Sequence, residues 1–219
     1  MTKFGWLVVL GVLLVLGGIA AIIYFIPKTA PAPEPVEVGT ENLEGQSIYA
    51  SGEYGFTLRY PSKATVEEVF TPSYIIGTTW RANAIATGTP LLAVINYTTE
   101  SDHSFPRNYT AMVRVGVSVD EVENCEKVTP DAGETALPDR EINGTTWKAF
   151  SFGDAAMMKY VKGVSYRVEH NGTCYALEKI ATGSSYRDDP ESADDISQDT
   201  LDAEYAALDA IIETFSFSR

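Results

Sequence analysis

The chain has 219 residues, of which 45% are hydrophobic, and it carries a formal net charge of −14 at pH 7. A surface this acidic repels nucleic-acid phosphates and anionic lipid headgroups. Binding to nucleic acid and peripheral binding to an anionic membrane surface are therefore excluded, and the charge is expected to serve solubility.

The first feature in chain order is an apolar segment, Phe4–Ile26, which contains no charged residue and no proline. As an α-helix rising about 1.5 Å per residue it would reach about 34 Å, enough to cross a hydrocarbon core of about 30 Å. The alternative is a cleaved signal peptide, whose apolar region is about 7–15 residues long and precedes a small-x-small cleavage site. This segment is longer and ends in the bulky sequence Tyr24-Phe-Ile-Pro27. We therefore predict a transmembrane anchor that is retained.

The orientation of this anchor depends on its flanks. Lys3 precedes it and Lys28 follows it, so the positive-inside bias is slight. The tail of residues 1–3 is very short, and both cysteines lie far downstream, where an oxidising exterior would pair them. We predict a single-pass integral protein of the cell membrane with a cytoplasmic N-terminus and an extracytoplasmic remainder.

A proline-rich linker follows the anchor, over Pro27–Ser47. Four prolines fall within Pro27–Pro35, and Ala-Pro alternation favours an extended polyproline II spacer of about 3.1 Å per residue. The remaining segment, Ile48–Arg219, has about 170 residues, the size of one domain with its own core. We predict that this extracytoplasmic domain is held away from the membrane by the spacer.

Strand patterns dominate the first part of the domain. In Gly55–Pro61 the residues Phe56, Leu58 and Tyr60 alternate with polar ones and the run stops at a proline, as in a half-buried strand. In Tyr109–Val117 the small and branched apolar residues again alternate. Further short strands are predicted at Val66–Phe70, Tyr74–Trp80 and Leu91–Tyr97.

Two Asn-Gly pairs, Asn143-Gly144 and Asn171-Gly172, predict β-hairpins, because this dipeptide tolerates the positive φ that two-residue turns require. A two-residue turn at the second pair sets His170 opposite Thr173. In that register one face of the hairpin is apolar and the other holds small residues and a cysteine. The apolar face carries Tyr166, Val168, Tyr175 and Leu177, and the other carries Arg167, Glu169, Cys174 and Ala176.

Two helices are predicted to cover this sheet. Asp199–Phe215 has apolar residues at steps of three and four, and Ser197 or Asp199 can cap it. A second, short helix starting at Ser118 or Asp120 would run through Lys127 and carry Cys125. The predicted fold class is α+β, a mainly antiparallel sheet with helices on both faces, preceded by one transmembrane helix.

Two short motifs resemble a known family. Tyr54-Gly-Phe-Thr-Leu-Arg-Tyr-Pro61 is similar to the opening of PsbP-like domains, in the wider PsbP/Mog1 fold group, and Ile211-Ile-Glu-Thr-Phe-Ser-Phe217 is similar to their closing helix and strand. The resemblance spans about Ile48–Arg219. It implies a PsbP/Mog1-like sandwich and carries over no catalytic residue.

Cys125 and Cys174 are the two cysteines, and both fall in the predicted exterior domain. An even pair in such a compartment favours one disulfide. Two free structural thiols, or a catalytic thiol at Cys174 with His170 nearby, are the alternatives. The predicted hairpin register argues against the catalytic alternative, since it directs those two side chains to opposite faces.

Recognisable catalytic and metal-binding motifs are missing from the sequence. His103 and His170 are the two histidines, no HExxH, GxSxG or Walker motif occurs, and no cofactor is expected. The acidic stretch Arg187–Asp199 is expected to be a solvated loop rather than a calcium site, because the EF-hand spacing is absent. Three tyrosines near predicted loops are expected to be exposed: Tyr74, Tyr97 and Tyr109.

Four Asn-x-Thr sequons begin at Asn96, Asn108, Asn143 and Asn171. They are used only where the host glycosylates exported proteins, and turn chemistry already explains Asn143 and Asn171. In a bacterial chain they are expected to be unmodified.

The sequence thus favours a membrane-tethered extracytoplasmic binding or interaction module with a protein partner in the cell envelope. An extracytoplasmic enzyme, such as a hydrolase, is the first alternative. An accessory subunit of an envelope complex, contacting its partners through the anchor helix, is the second.

Overall fold

The computed structural model describes residues 45–70, 88–99, 109–120, 122–128, 133–156, 159–184 and 196–218. The predicted anchor Phe4–Ile26, the linker up to residue 44 and the predicted strand Tyr74–Trp80 lie outside these ranges. Within the described ranges, no helix has the length and apolar character needed to span a membrane.

Ten strands and one α-helix make up the regular structure of the described residues. The elements are β1 (Gln46–Ser51), β2 (Phe56–Pro61), β3 (Thr65–Glu67), β4 (Thr89–Thr99), β5 (Tyr109–Ser118), β6 (Thr135–Ile142), β7 (Thr145–Ala156), β8 (Lys159–His170), β9 (Thr173–Ser184), α1 (Gln198–Ile212) and β10 (Ser216–Phe217). β1 starts two residues before the predicted domain boundary.

These strands form two sheets. A three-stranded sheet has the order β1-β2-β10, and a seven-stranded sheet has the order β3-β4-β5-β9-β8-β7-β6. Every pair of neighbouring strands is antiparallel. The predicted mainly antiparallel α+β class is therefore confirmed.

The two predicted Asn-Gly turns are present, and both asparagines adopt positive φ. Asn143 has φ 46° and Asn171 has φ 51°, each followed by a glycine near 76–77°. The hairpin register of β8 and β9 is the predicted one, with His170 opposite Thr173 and Glu169 opposite Cys174. The two faces of this hairpin can therefore be assigned residue by residue, as the sequence predicted.

The helix α1 begins where the cap prediction placed it. The Ser197 side chain accepts a hydrogen bond from the Thr200 backbone N–H at 3.2 Å. The helix ends at Ile212 rather than Phe215, because the next residues form a turn in which Thr214 donates to the carbonyl of Ile211. Phe215 still packs inward, with 1% of its surface exposed.

α1 and the three-stranded sheet cover the same face of the large sheet and share its core. Leu208 and Ile212 of α1 are completely buried. The ring of Phe215 lies 5.2 Å from that of Phe56 in β2 and 5.3 Å from that of Trp147 in β7, measured between centroids. Aromatic contact thus joins both sheets to the end of the helix.

We expect Leu208→Ala to lower the free energy of unfolding by about 2–5 kcal/mol, because the side chain is fully buried and its truncation leaves a cavity. Denaturant melting of the full chain measures this loss. Ala207→Ser, on the exposed side of the same helix, is the matched control and should be within about 0.5 kcal/mol of wild type. Equal stabilities for the two variants would contradict the packing described for α1.

An ion-pair network also fixes α1 to the sheet. Asp209 accepts hydrogen bonds from Arg140 of β6 at 2.8 Å and from Lys179 of β9 at 2.7 Å. Arg140 also contacts Glu213 at 2.8 Å and the hydroxyl of Tyr166 at 2.9 Å. Partial burial alone would raise the pKa of Asp209, but the hydrogen bonds from the two cations outweigh it and the net shift is downward.

This network predicts an acid-dependent loss of stability. A carboxyl whose folded pKa lies below its ordinary value of 3.8 stabilises the fold above that value, and the contribution disappears as pH falls through the folded pKa. Asp209→Asn should therefore cost about 1 kcal/mol or less at pH 7. The difference in stability from wild type should diminish as pH falls below 3.8 and through the lower folded pKa of Asp209. Urea melts from pH 7 to pH 2.5 test this, and Asp202→Asn is the control. If the difference in stability between Asp209→Asn and wild type were the same at every pH, the prediction would be contradicted.

The opposite face of the large sheet departs from the prediction of a second helix. In place of an α-helix through Lys127, a single 3₁₀ turn covers Val122–Asn124, and Cys125 follows it. Ser118 cannot cap a helix there because it is the last residue of β5, where it pairs with Cys174. Among the described residues the α-helical cover is therefore confined to one face.

Candidate binding site

The face of the large sheet away from α1 carries buried charges at its centre. Arg114 of β5 lies directly opposite Glu178 of β9, and the two form an ion pair with 2% and 0% of their side-chain surface exposed. The Arg114 Nε atom donates to Glu178 Oε2 at 2.5 Å. We call this surface the ionic face; it consists of Arg114, Glu178, Ser165 and Arg167 together with Glu134.

Arg167 of β8 is the most extensively bound of these residues. Its two Nη atoms donate to the two carboxylate oxygens of Glu134, and both side chains are completely buried. Its Nε donates to the Ser165 hydroxyl at 3.0 Å, and Nη1 also reaches the backbone carbonyl of Lys127 at 3.3 Å. The guanidinium carbon lies 4.5 Å from the centroid of the Phe150 ring. The forked geometry of arginine allows all of these contacts at once.

A disulfide closes the same region. Cys125 and Cys174 are bonded, their Cα atoms are 5.5 Å apart, and neither residue is exposed. Together with Ala176 they form a small buried cluster. The predicted disulfide is confirmed, and so is the prediction that the segment bearing Cys125 lies over the face opposite α1. Val122–Val128 is thereby fixed to the sheet at Cys125 and at Lys127.

A cleft of about 330 Å³ lies beside this segment, between it and the edge formed by β6 and β7. We call it the β6 groove. It is lined by Glu126, Val128, Ala136, Leu137, Asp139, Lys148, Ala149 and Phe150. Val128 leaves 39% of its surface exposed in the groove, and Lys148 contacts Asp139 at 2.7 Å. Leu137 pairs with Ala149, a residue of the core beneath α1, so its exposed side chain lies on the α1 face of the sheet. The floor is apolar and the rim is charged.

The two residues considered for catalysis are not brought together. His170 stacks on Phe217 of β10, with ring centroids 3.8 Å apart, and contacts Asn171 at 3.1 Å. Cys174 belongs to the disulfide and carries no free thiol. His103 and most of the acidic stretch lie outside the described residues. Over the part of the chain that is described, no three His, Cys, Asp or Glu side chains are grouped to hold a metal ion.

The expected exposure of tyrosines near loops is wrong for Tyr109. Only 4% of its surface is exposed, and its hydroxyl donates to the carbonyl of Leu201 in α1 at 3.0 Å. Burial raises the pKa of Tyr109, with neighbouring tyrosines and acidic residues adding to the shift. Tyr97 is half-buried against the core, and Tyr74 lies outside the described residues. The start of β5 is covered by α1. The position of Tyr109 near a predicted loop gave no indication of this cover.

Among the asparagines of the sequons, Asn143 has a structural role. Its amide nitrogen donates to the backbone carbonyls of Glu213 at 3.0 Å and Phe215 at 2.6 Å. A glycan on that nitrogen would remove at least one of these bonds, which hold the end of α1 to the β6–β7 turn. Asn96 donates to Glu204 at 3.5 Å, and Asn108 lies outside the described residues.

Comparison with known proteins yields structural similarity alone. No protein-family model matches this chain, and no curated protein matches it. The chain is similar to the crystal structure of LpqN, described as involved in cell envelope biogenesis of Mycobacterium tuberculosis. The sequence identity is 11% and the TM-score is 0.40, and the match covers 80% of this chain and 91% of LpqN. The chain is also similar to the solution structure of cyanobacterial PsbP (CyanoP) from Synechocystis sp. PCC 6803, at 11% identity and a TM-score of 0.35, covering 82% and 96%.

A PsbP structure is thus among those to which the chain is similar, in agreement with the resemblance stated from the sequence. Because both TM-scores lie below 0.5, neither similarity supports a conclusion about what this chain binds or does.

Proposed function

We propose that this chain is a membrane-tethered extracytoplasmic module that binds a protein partner through the β6 groove and does not act as an enzyme. The main observation that supports this proposal is the β6 groove. It leaves Val128 exposed on a wall that a disulfide holds in place, next to the apolar pair Ala136 and Phe150. A preformed apolar cleft with a charged rim is typical of binding sites.

The location follows from the cysteines and the N-terminal segment. Disulfides persist in oxidising compartments outside the cytoplasm, which supports an extracytoplasmic domain. The length of the uncharged segment Phe4–Ile26 supports a retained anchor with its N-terminus in the cytoplasm. In this proposal the spacer Pro27–Ser47 sets the distance between membrane and groove.

The proposal of binding without catalysis rests on how reactive side chains are used. Both cysteines are bonded to each other, and His170 is stacked on Phe217. The buried Ser165 hydroxyl accepts a hydrogen bond from Arg167. These are structural contacts, and none of them presents a nucleophile beside a free base.

Site-specific photo-cross-linking in native membranes tests the binding surface. The full chain is produced with p-benzoylphenylalanine at Val128, in the groove, or at Val69, which is 87% exposed and lies next to β3. We expect one dominant adduct from position 128 that is competed by excess unlabelled chain, and none from position 69. Equal cross-linking from both positions, or none from either, would refute the groove as the binding surface.

The tether has a separate test. The mature protein is expected to keep its N-terminus and to need detergent for extraction. Proteases added outside the cell should remove the domain. Recovery of a soluble form beginning near Ala30 or Pro31 would show that the apolar segment is a cleaved signal peptide.

A further inference from the structure

We propose that the β6 groove receives a protein segment in which a basic side chain lies next to an apolar one. This inference rests on the proposed function and adds the chemistry of the partner. The groove combines an apolar floor with a rim that has an excess of negative charge.

The floor requires an apolar side chain. Ala136 and Phe150 lie opposite each other on β6 and β7, and Val128 exposes 39% of its surface at the same cleft. Covering these side chains removes apolar surface from water, which stabilises a complex in proportion to the area covered. A purely polar ligand would gain nothing from this floor.

The rim favours a cation. Among the described residues that line the groove, Lys148 is the one basic residue, and it contacts Asp139 at 2.7 Å. Its pKa is raised by the hydrogen bond and charge of Asp139, with a further contribution from the charge of Glu126. Since Asp139 balances Lys148, the carboxylate of Glu126 leaves the rim with a net negative charge. A lysine or arginine on the partner is complementary to it.

The same charges argue against a second copy of this chain. Each copy carries a net charge of −14, and two copies meeting at this surface would bring together acidic rims. Addition of a partner strand to the edge of β6 is also disfavoured. Pro138 interrupts that edge, and the register with β7 shifts between Leu137 and Arg140. Recognition is therefore assigned to side chains that enter the groove.

The groove is also preorganised, which reduces the entropy lost on binding. Its wall, Val122–Val128, is bonded to β9 through Cys125 and hydrogen-bonded to Arg167 through the carbonyl of Lys127. Both of these contacts are within three residues of Glu126 and Val128. The partner thus meets a wall that does not have to be ordered first.

Binding of short probe peptides to the full chain in nanodiscs of neutral lipid tests the inference. One fluorescent peptide has the sequence Gly-Lys-Leu-Lys-Leu-Gly, the second replaces lysine with glutamate, and the third replaces leucine with serine. We expect the Lys-Leu peptide to bind at least tenfold tighter than either of the others by fluorescence anisotropy. Raising the salt concentration should weaken this binding.

Variants then place the binding in the groove. Val128→Ser and Glu126→Gln should each weaken binding of the Lys-Leu peptide by about tenfold. Val69→Ser, at an exposed valine outside the groove, should leave it unchanged. Circular dichroism and thermal melting confirm that each variant is folded. Equal binding of the Lys-Leu and Glu-Leu peptides, or unchanged binding by Val128→Ser, would overturn the inference.

Two further outcomes separate this inference from the proposed function. If the partner cross-linked from position 128 is joined through an acidic or purely polar segment, the inference fails and the proposed function stands. If the full chain dimerises with increasing concentration and Val128→Ser abolishes the dimer, a second copy fills the groove and the inference also fails. Analytical ultracentrifugation measures the second outcome.

Discussion

Replacing Glu134 with alanine is expected to lower the free energy of unfolding by about 3–5 kcal/mol, as is typical when one partner of a buried ion pair is removed. The side chains of Glu134 and Arg167 are both 0% exposed. Truncation removes the carboxylate that faces both Nη atoms of the guanidinium. The Ser165 hydroxyl and the Lys127 carbonyl still contact Arg167, but neither carries a charge that balances it.

Chemical denaturation measures this effect, and a second ion pair provides the control. Lys148 and Asp139 also form an ion pair, 2.7 Å apart, but their side chains are 43% and 42% exposed. Asp139→Ala should therefore cost about 0–1 kcal/mol. If Glu134→Ala does not fold, Glu134→Gln keeps the size and one acceptor and should be less destabilised. Similar small losses at Glu134 and Asp139 would contradict the role assigned to the buried pair.

The face of the sheet that packs on α1 was predictable from the sequence because its signals are local and periodic. Alternation in β2 and β5, the 3.6-residue period of α1 and the two Asn-Gly turns each constrain one element. Together they identified which side chains of the β8–β9 hairpin face the helix. The end of α1 was missed by three residues, since Phe215 continues the apolar period although the chain has already turned.

The ionic face was not predicted, because it depends on strand order. Arg114 and Glu178 are 64 residues apart and meet only because β5 pairs with β9. A charged residue between apolar ones in a strand ordinarily faces solvent. Extension of the predicted hairpin register by one pair would place Ser165 opposite Glu178, which is the pairing seen in the structure, near the centre of the large sheet.

The β6 groove was also beyond sequence reasoning. The first Asn-Gly turn was predicted, but the residues before Arg140 were not assigned to a strand. In the structure β6 starts at Thr135, and a register shift between Leu137 and Arg140 accommodates Pro138. The other wall, Val122–Val128, lies on a segment whose apolar residues follow neither a helical nor a strand period. Its position is set by the disulfide and by Arg167, and both contacts are distant in sequence.

Removal of the disulfide is expected to have the second large effect. The bond joins residues 49 apart, and in the chain-entropy model a loop of this length stabilises the fold by about 4 kcal/mol. The double variant Cys125→Ala with Cys174→Ala should lose about this much in denaturant melts. Amide hydrogen exchange should also accelerate locally in Val122–Val128. Leu208→Ala is the control, because it should lose a similar amount of stability. In that variant the amides of Val122–Val128 should exchange no faster than the lower global stability of the variant predicts.

The disulfide and the Arg167–Glu134 pair should act as one unit, because both hold the segment that forms the groove wall. Removal of the disulfide already weakens part of the structure that keeps Glu134 against Arg167. Glu134→Ala should therefore cost less stability in that background than in the wild type. The triple variant should therefore lose at least 1 kcal/mol less than the sum of the separate losses, as expected for coupled neighbours. If the loss in the triple variant equalled the sum of the losses in the double cysteine variant and in Glu134→Ala, the disulfide and the ion pair would stabilise the fold independently. The groove wall would then not be held as a unit.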